Sequence, residues 1–363
     1  MSMNRRSFLG RSSQAAAGAA FAAAYTWNQQ AKAAPNDRVV VCVAGVRGRG
    51  NSLLNTFARL PQVEVKYVCD LDETVLGSRT EQIAKVIGRQ PQQIKDFRHA
   101  LDDAQVDALV LGTPDHWHAI PTIMACQTGK DVYVEKPDGH NALEGRAMVE
   151  VAKRHGRVVQ LGTQARSGKH VASLLEYLRA GSIGKALFAK AWESSQQRGI
   201  GHPADTQPPA TVDYDFWLGP APLRPFNPNR FHGSWRWFFD YGTGDLGNDG
   251  VHRLDLARMA LQAATEDRGE APLGFPKAIS AVGGKYYFDD DQQWPDTLMV
   301  NYDYGGRILT YEMRIWSAYH MEGEPEGAAV FGDEGYVIMG NGRWRAFDRR
   351  GKQIREERAS YND

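Results

Sequence analysis

The stretch Arg38–Leu60, RVVVCVAGVRGRGNSLLNTFARL, decides how the first half of the chain is read. Val39 to Ala44 are all apolar, as a parallel strand covered on both faces requires. Gly45, Gly48 and Gly50 follow, and apolar residues then recur with helical spacing. Glycines placed this way let the chain turn tightly. They bring backbone N–H groups and a helix N-terminus toward a pyrophosphate.

The chain continues as VEVKYVCDLDE from Val63. This reads as a second strand that ends on Asp70, about 20 residues beyond the last glycine. A carboxylate there accepts hydrogen bonds from an adenosine ribose diol and repels a 2′-phosphate. Strand, glycines, helix, strand and acid in that order predict a dinucleotide site, with NAD expected. One residue departs from G-x-G-x-x-G: Arg47 stands at the second glycine. Its backbone can still approach a phosphate if its φ is negative. Its guanidinium, or that of Arg49, could instead meet a 2′-phosphate, which leaves NADP open.

Strands and helices go on alternating. Helices are expected at Thr74–Ile87, His116–Thr128 and Ala142–His155, and strands at Ala108–Leu111, Val132–Val134 and Arg157–Leu161. That alternation predicts a doubly wound parallel sheet, with ligands beyond the carboxyl ends of its strands. Later segments such as KALFAKAWE, TLMVNYDY and RILTYEMRIW alternate apolar with polar between Gly or Asp turns. They read as half-solvated antiparallel strands. The fold class is therefore α/β, a Rossmann domain (34–160) followed by an α+β domain (161–363). A long segment rich in Pro, Gly and aromatics, about 194–247, is expected to be functional.

Ahead of these domains lies NRRSFLG, Asn4 to Gly10, then an alanine-rich run from Ala15 to Ala24 and Ala31-Lys32-Ala33. This reads as a cleaved twin-arginine export signal over residues 1–33. The apolar run is about half the roughly 20 residues of a membrane span. Lys+Arg and Asp+Glu number 43 each, so no charge excess points to nucleic acid or an anionic membrane. Cys42, Cys69 and Cys126 all sit in apolar contexts and read as buried thiols, not a disulfide framework.

The chain resembles the glucose–fructose oxidoreductase / inositol dehydrogenase family, Gfo/Idh/MocA, in its exported twin-arginine subgroup. The resembling strings are Thr113-Pro114-Asp115-His116-Trp117-His118, Gly129-Lys130-Asp131-Val132-Tyr133-Val134, Glu135-Lys136-Pro137 and Gly162-Thr163-Gln164. DFWLGPAPLRPFNPNRFHGSWRWFFDYGTGDLGNDGVHRLDLARM and WPDTLMVNYDYGG follow further on. The resemblance implies a second domain built on an open, mostly antiparallel sheet through which copies associate. Substrate would lie between that sheet and the nicotinamide. It places Lys136 beside the reacting carbon, Thr113 and Pro114 at the nicotinamide ribose, and Glu135 and His118 on the cofactor side of the cleft. Similar proteins continue past Asp363 with helices that return to the first domain, so the chain reads as a natural short form or a truncated one.

GNDGVHRLDLARM reads as a helix after a glycine-rich turn, with Asn248 and His252 sharing a face at i and i+4. The family pattern is Asp-x-Gly-x-His. Here Asn248 takes the acid's place and the acid has moved to Asp249. Asn248 can hold a hydroxyl but cannot take a proton, so His252 is the expected general base, with Lys136 as partner. Asp249 either orients His252 or faces Arg253. Gln164 and Arg166 follow a strand end and are candidates for substrate contact. Trp235 and Arg236 are suited either to stacking on a sugar and bonding its hydroxyls or to core packing and a subunit contact. No metal is expected.

Dinucleotides are cytoplasmic, so export after folding would carry the cofactor along and leave no pool to exchange with. An exported oxidoreductase on a sugar or sugar derivative, with cofactor reset by the reaction itself, is the expected function. Alternatives are a redox-neutral glycoside hydrolase, lyase or epimerase working through a transient keto sugar, and a sugar-binding or redox-sensing protein without turnover.

Overall fold

A computed structural model describes residues 38–266, 269, 271–340 and 342–359. The export signal expected over 1–33 lies outside the described residues. Six parallel strands form the first sheet: β1 (Val39–Ala44), β2 (Val63–Cys69), β3 (Gln92–Ile94), β4 (Ala108–Leu111), β5 (Asp131–Val134) and β6 (Val159–Leu161). Their order is β3-β2-β1-β4-β5-β6, and the order reverses at β1, which places the ligand crevice there. Strand alternation explains the apolar run of β1. Val41 and Val43 enter one core with Leu54, Val65 and Ile83, and Cys42 and Ala44 enter another with Leu109, Ala125 and Val132. All three cysteines are free and buried, and burial raises the Cys42 and Cys69 thiols.

The helices of this half are α1 (Gly48–Ala58), α2 (Glu73–Ile87), α3 (Arg98–Asp102), α4 (Ala119–Gln127) and α5 (Ala142–His155). Caps set their limits. The Asp72 side chain accepts from Thr74 N and starts α2, which stops at Gly88 in the left-handed region. Asn141 accepts from Leu143 N and Glu144 N to start α5. The single helix expected over 116–128 is instead a 3₁₀ turn, Asp115–Trp117, followed by α4. Pro121 has no N–H to offer the Trp117 carbonyl, which accepts from Thr113 Oγ1 at 3.2 Å.

After α6 (Lys169–Arg179) comes an eight-stranded sheet: β7 (Ala186–Glu193), β8 (Ala278–Gly284), β9 (Thr297–Asp303), β10 (Ile308–Arg314), β11 (Glu326–Gly332), β12 (Gly335–Gly340), β13 (Arg343–Asp348) and β14 (Gln353–Arg358). The order is β14-β13-β12-β11-β7-β10-β9-β8. Every pairing is antiparallel except β7 with β10. Strands β3 and β14 went unseen in the sequence. Both are polar edge strands, QQI and QIREER, without an apolar face to announce them. Between β7 and α8 (Val251–Glu266) the long segment carries α7 (Tyr214–Leu218) and short 3₁₀ turns. Trp217, Phe226, Phe231, Trp237, Phe238 and Tyr241 from it are buried in the second core. Among the described residues, no helix is long and apolar enough to cross a membrane.

Candidate active site

At the carboxyl end of β1 the glycine turn is packed backbone against backbone. A Cβ at Gly50 would stand 1.6 Å from the Gly45 carbonyl oxygen, and one at Gly112 would stand 2.6 Å from the Gly50 Cα. Gly45 and Gly48 have φ of 74° and 46°, which favours glycine. By contrast, nothing lies within 4 Å of a Cβ placed on Gly48, so that face of the turn is open. Arg47, at the position of the missing glycine, has φ of −90°. Its backbone therefore follows the turn without strain. It caps α1 through no side-chain bond, which leaves the helix N-terminus free for an anion.

Asp70 ends β2 in the same cleft. Its Oδ2 accepts from Val46 N at 2.9 Å and its Oδ1 from Asp72 N at 3.0 Å. Each oxygen keeps a lone pair for a ribose hydroxyl. Burial raises this carboxyl while those backbone N–H groups act against the rise. Thr113 and Pro114 line the cleft together with Gly45, Arg47, Asp70, Asp72, Trp117, Phe231 and His232. The long segment closes over this end: Thr211 O accepts from Glu73 N at 3.0 Å, and His232 Nε2 lies 3.0 Å from Asp72 Oδ2. Neither Asp72 nor His232 was foreseen. Their approach joins segments far apart in the chain, which no local pattern reports. The open glycine face, the free helix end and the aimed carboxylate fit a dinucleotide.

The second part of the site lies past β5. Glu135 is buried and pairs with Arg49 Nε at 2.8 Å, so Arg49 is committed to a carboxylate. Lys136 Nζ donates to the Asn248 backbone carbonyl and, at 3.2 Å, to Asn248 Oδ1. Asn248 Oδ1 also accepts from Arg236 Nε at 3.2 Å, and Asn248 Nδ2 donates to Asp249 Oδ2 at 3.1 Å. The side-chain amide thus turns its oxygen to two cations and its nitrogen to an anion. Asn248 and Asp249 lie in a π turn, Leu246–Gly250, that leads into α8. This wide turn replaces the regular helix start expected there, and such turns recur at functional sites.

His252 begins α8 with its Nδ1 buried and unpaired. Burial, and then the charges of Lys136 and Arg253, push it down to about 4. Lys136 is also lowered, by burial, against the opposing pull of Asp249, Asp115 and Glu135. Asp115 supports this floor from below, accepting from Thr243 Oγ1 at 2.8 Å.

Other candidates are placed differently. His118 has Nδ1 2.6 Å from the Pro137 carbonyl and Nε2 2.9 Å from the Thr113 carbonyl. It ties the Thr113 and Lys136 loops together with both nitrogens spent on protein. Arg236 lies 5.1 Å from the Trp235 ring, which packs against the second core. Gln164 is exposed, and Arg166 holds Asp255 of α8, with Nε 2.7 Å from Oδ2. Neither reaches the Lys136–Asn248 contact.

Residues 38–163 match the model of an oxidoreductase family, NAD-binding Rossmann fold, and residues 191–304 match the C-terminal alpha/beta domain of the same family. The chain belongs to the Gfo/Idh/MocA oxidoreductase family. Among similar proteins is a glycosyl hydrolase family 109 protein of Shewanella putrefaciens, 29% identical over 159 residues, 43% of this chain and 35% of that one. Another is the scyllo-inositol 2-dehydrogenase (NAD(+)) of Bacillus subtilis, 32% identical over 131 residues, 36% of this chain and 37% of that one. The matched stretches thus span about a third of either relative's length. Levoglucosan dehydrogenase, solved with NADH and levoglucosan, shares the fold with a TM-score of 0.65 at 19% identity, covering 88% of this chain and 80% of its own. This Gfo/Idh/MocA protein therefore carries an NAD-binding Rossmann domain and a mostly antiparallel second sheet.

Proposed function

We propose that this Gfo/Idh/MocA protein oxidises a secondary alcohol of a sugar or sugar derivative at the Lys136–Asn248 floor, with NAD retained and reset within the catalytic cycle. The carrying observation is the contact of Lys136 with Asn248 at the carboxyl edge of the NAD-binding sheet, beside Asp249, Arg236 and His252. When bound, the nicotinamide supplies the two-electron acceptor and donor. Gly45, Gly48, Gly50, Arg47 and Asp70 would hold the dinucleotide.

Lys136 is the better proton carrier. Burial lowers it toward the working range, whereas His252 at about 4 is a neutral imidazole and a weak base near pH 7. His252 then serves as an uncharged hydrogen-bond partner for a substrate hydroxyl. This exchanges the roles expected from the sequence. Asn248 accepts from the ammonium of Lys136, and Arg236 holds the Asn248 side chain in place beside the bound hydroxyls.

A redox-neutral reading is favoured by the glycosyl hydrolase family 109 relatives. Purified protein with its bound cofactor is offered a panel of free sugars and glycosides in deuterated water. A cofactor absorbance change that a second sugar reverses supports alcohol oxidation. Deuterium in the sugar skeleton with glycoside cleavage supports the redox-neutral reading. No change with any sugar overturns both in favour of binding alone.

Two further expectations belong to this reading. Arg5 and Arg6 support export of the folded protein, and lysine at both positions should stop it; unchanged delivery would refute it. Val282 on edge strand β8 and Met299, its cross-strand neighbour on β9, are exposed on one face, which supports association of copies through the open sheet. A monomer by light scattering would rule that out.

A further inference from the structure

Behind the Lys136–Asn248 contact lie polar groups that no step above uses. Asp245, at the head of the π turn, is 1% exposed; no well-formed hydrogen bond closes on either carboxyl oxygen, and the Asn248 side chain is the neighbouring donor that favours its charge. Glu193, at the end of β7, is fully buried; one oxygen accepts from Ser195 N at 3.0 Å, and the carboxyl also lies against that of Glu326. Tyr311 of β10 is fully buried with its hydroxyl unpaired. Gly250 admits that hydroxyl to the turn, since a Cβ there would stand 2.5 Å from it.

An unpaired acid in the interior is costly, most of all when ionised. The charged groups facing Asp245 are Asp249, Lys136 and Arg236, with Glu193 and Tyr311 behind it. Burial, and then Asp249, push Asp245 up to about 7. Burial, and then Asp245 and Glu326, push Glu193 up as well. Glu326 is itself paired with Arg253. Asn248, three residues after Asp245 in the chain, has its side chain beside Asp245 and its Oδ1 3.2 Å from Lys136 Nζ, so it stands between the two.

We propose that Asp245 is a positioning residue that sets how firmly Lys136 holds its proton, with Asn248 as spacer and Glu193 and Tyr311 as dry backing. While Asp245 is neutral, Asp249, Asp115 and Glu135 alone oppose the burial of the Lys136 ammonium, and the lysine yields its proton more readily. Once Asp245 ionises, the ammonium gains a second-row counter-charge and persists. Asp245 thereby biases one lysine between base and acid. The inference rests on the reading of Lys136 as proton carrier, but its test needs no turnover.

Lys136 of the purified protein is acetylated competitively from pH 5 to 10, and its labelling is followed by peptide mass spectrometry. The wild-type curve should depart from a single titration, with an inflection near the Asp245 value of about 7. Asp245→Asn should remove that inflection and speed labelling at pH 8 by roughly 3–10-fold, equivalent to about half to one pKa unit. Asp245→Ser should do the same with a smaller side chain if the amide disturbs the fold. A single smooth wild-type titration, or the same curve in wild type and Asp245→Asn, overturns the proposal. A shifted labelling curve together with silence toward every sugar would uphold it and refute only the oxidoreductase reading.

Discussion

The glycine turn at β1 and the lysine floor beyond β5 lie at the same edge of one sheet, yet they are built in opposite ways. At Gly45 and Gly50 of the turn, backbone meets backbone at distances that admit no Cβ, and the helix start is left without a side-chain cap. On the floor, side chains from β5's end, the long segment and the π turn meet through charge, and the outcome depends on which of them hold protons. The first is a steric object and tolerates almost no change. The second is an electrostatic one and shifts by degrees.

The sharpest way to break this comparison is at Lys136. Lys136→Ala should lower turnover by about 10²–10⁴-fold with cofactor occupancy little changed, read as dinucleotide released on denaturation. Loss of the cofactor along with the rate would mean that the two regions are not separable. Gly50→Ala tests the other side. Its Cβ would meet the Gly45 carbonyl oxygen at 1.6 Å, and overpacking of this kind typically costs about 1–3 kcal/mol. A lower melting temperature and an empty cofactor site are expected; normal occupancy would show the turn to be more pliant than its geometry.

Asp70→Ser should weaken NAD by roughly tenfold or more, the loss of hydrogen bonds to a charged acceptor, and should narrow discrimination against NADP. Equal affinity in the variant would remove Asp70 from the ribose contact. The smallest expected effect is on stability against pH. His116 and His252 both stand near 4 in the folded chain, lowered mainly by burial. The unfolded chain binds their protons first, from about 6.5 downward. Their contribution is therefore complete above about 6.5 and is lost as pH falls toward 4. His116→Gln with His252→Gln should flatten the melting temperature across that window, and an unchanged slope would assign acid lability to other groups.

The difference between the regions also decides what the sequence could disclose. The turn is local: RVVVCVAGVRGRG carries strand, glycines and helix start within a few residues, and Asp70 follows at a set interval. Lys136, Asn248, Asp249 and His252 were legible through family strings, and the structure gathers them. The exchange of roles proposed for Lys136 and His252 was not, because burial of His252 and the charge of Lys136 beside it appear only when distant segments meet. Asp245 reads as one more turn residue in GTGDLGNDG, and Glu193 as the last residue of an alternating strand. Gln164 and Arg166 fall at a strand end as expected, yet the Arg166 guanidinium is spent on Asp255. Trp237 is turned inward to the second core, a side-chain direction that a segment without periodicity does not announce.

That long segment has a mechanical consequence. It leaves the second sheet after β7, fastens to the start of α2 through Thr211 with Glu73 and His232 with Asp72, and returns to the π turn that holds Lys136. It behaves as a belt threaded through two buckles. Prising the halves apart would pull on the Asp70 end of the cleft and on the lysine floor together, so under the proposed function release of the dinucleotide and loss of that floor would be a single event.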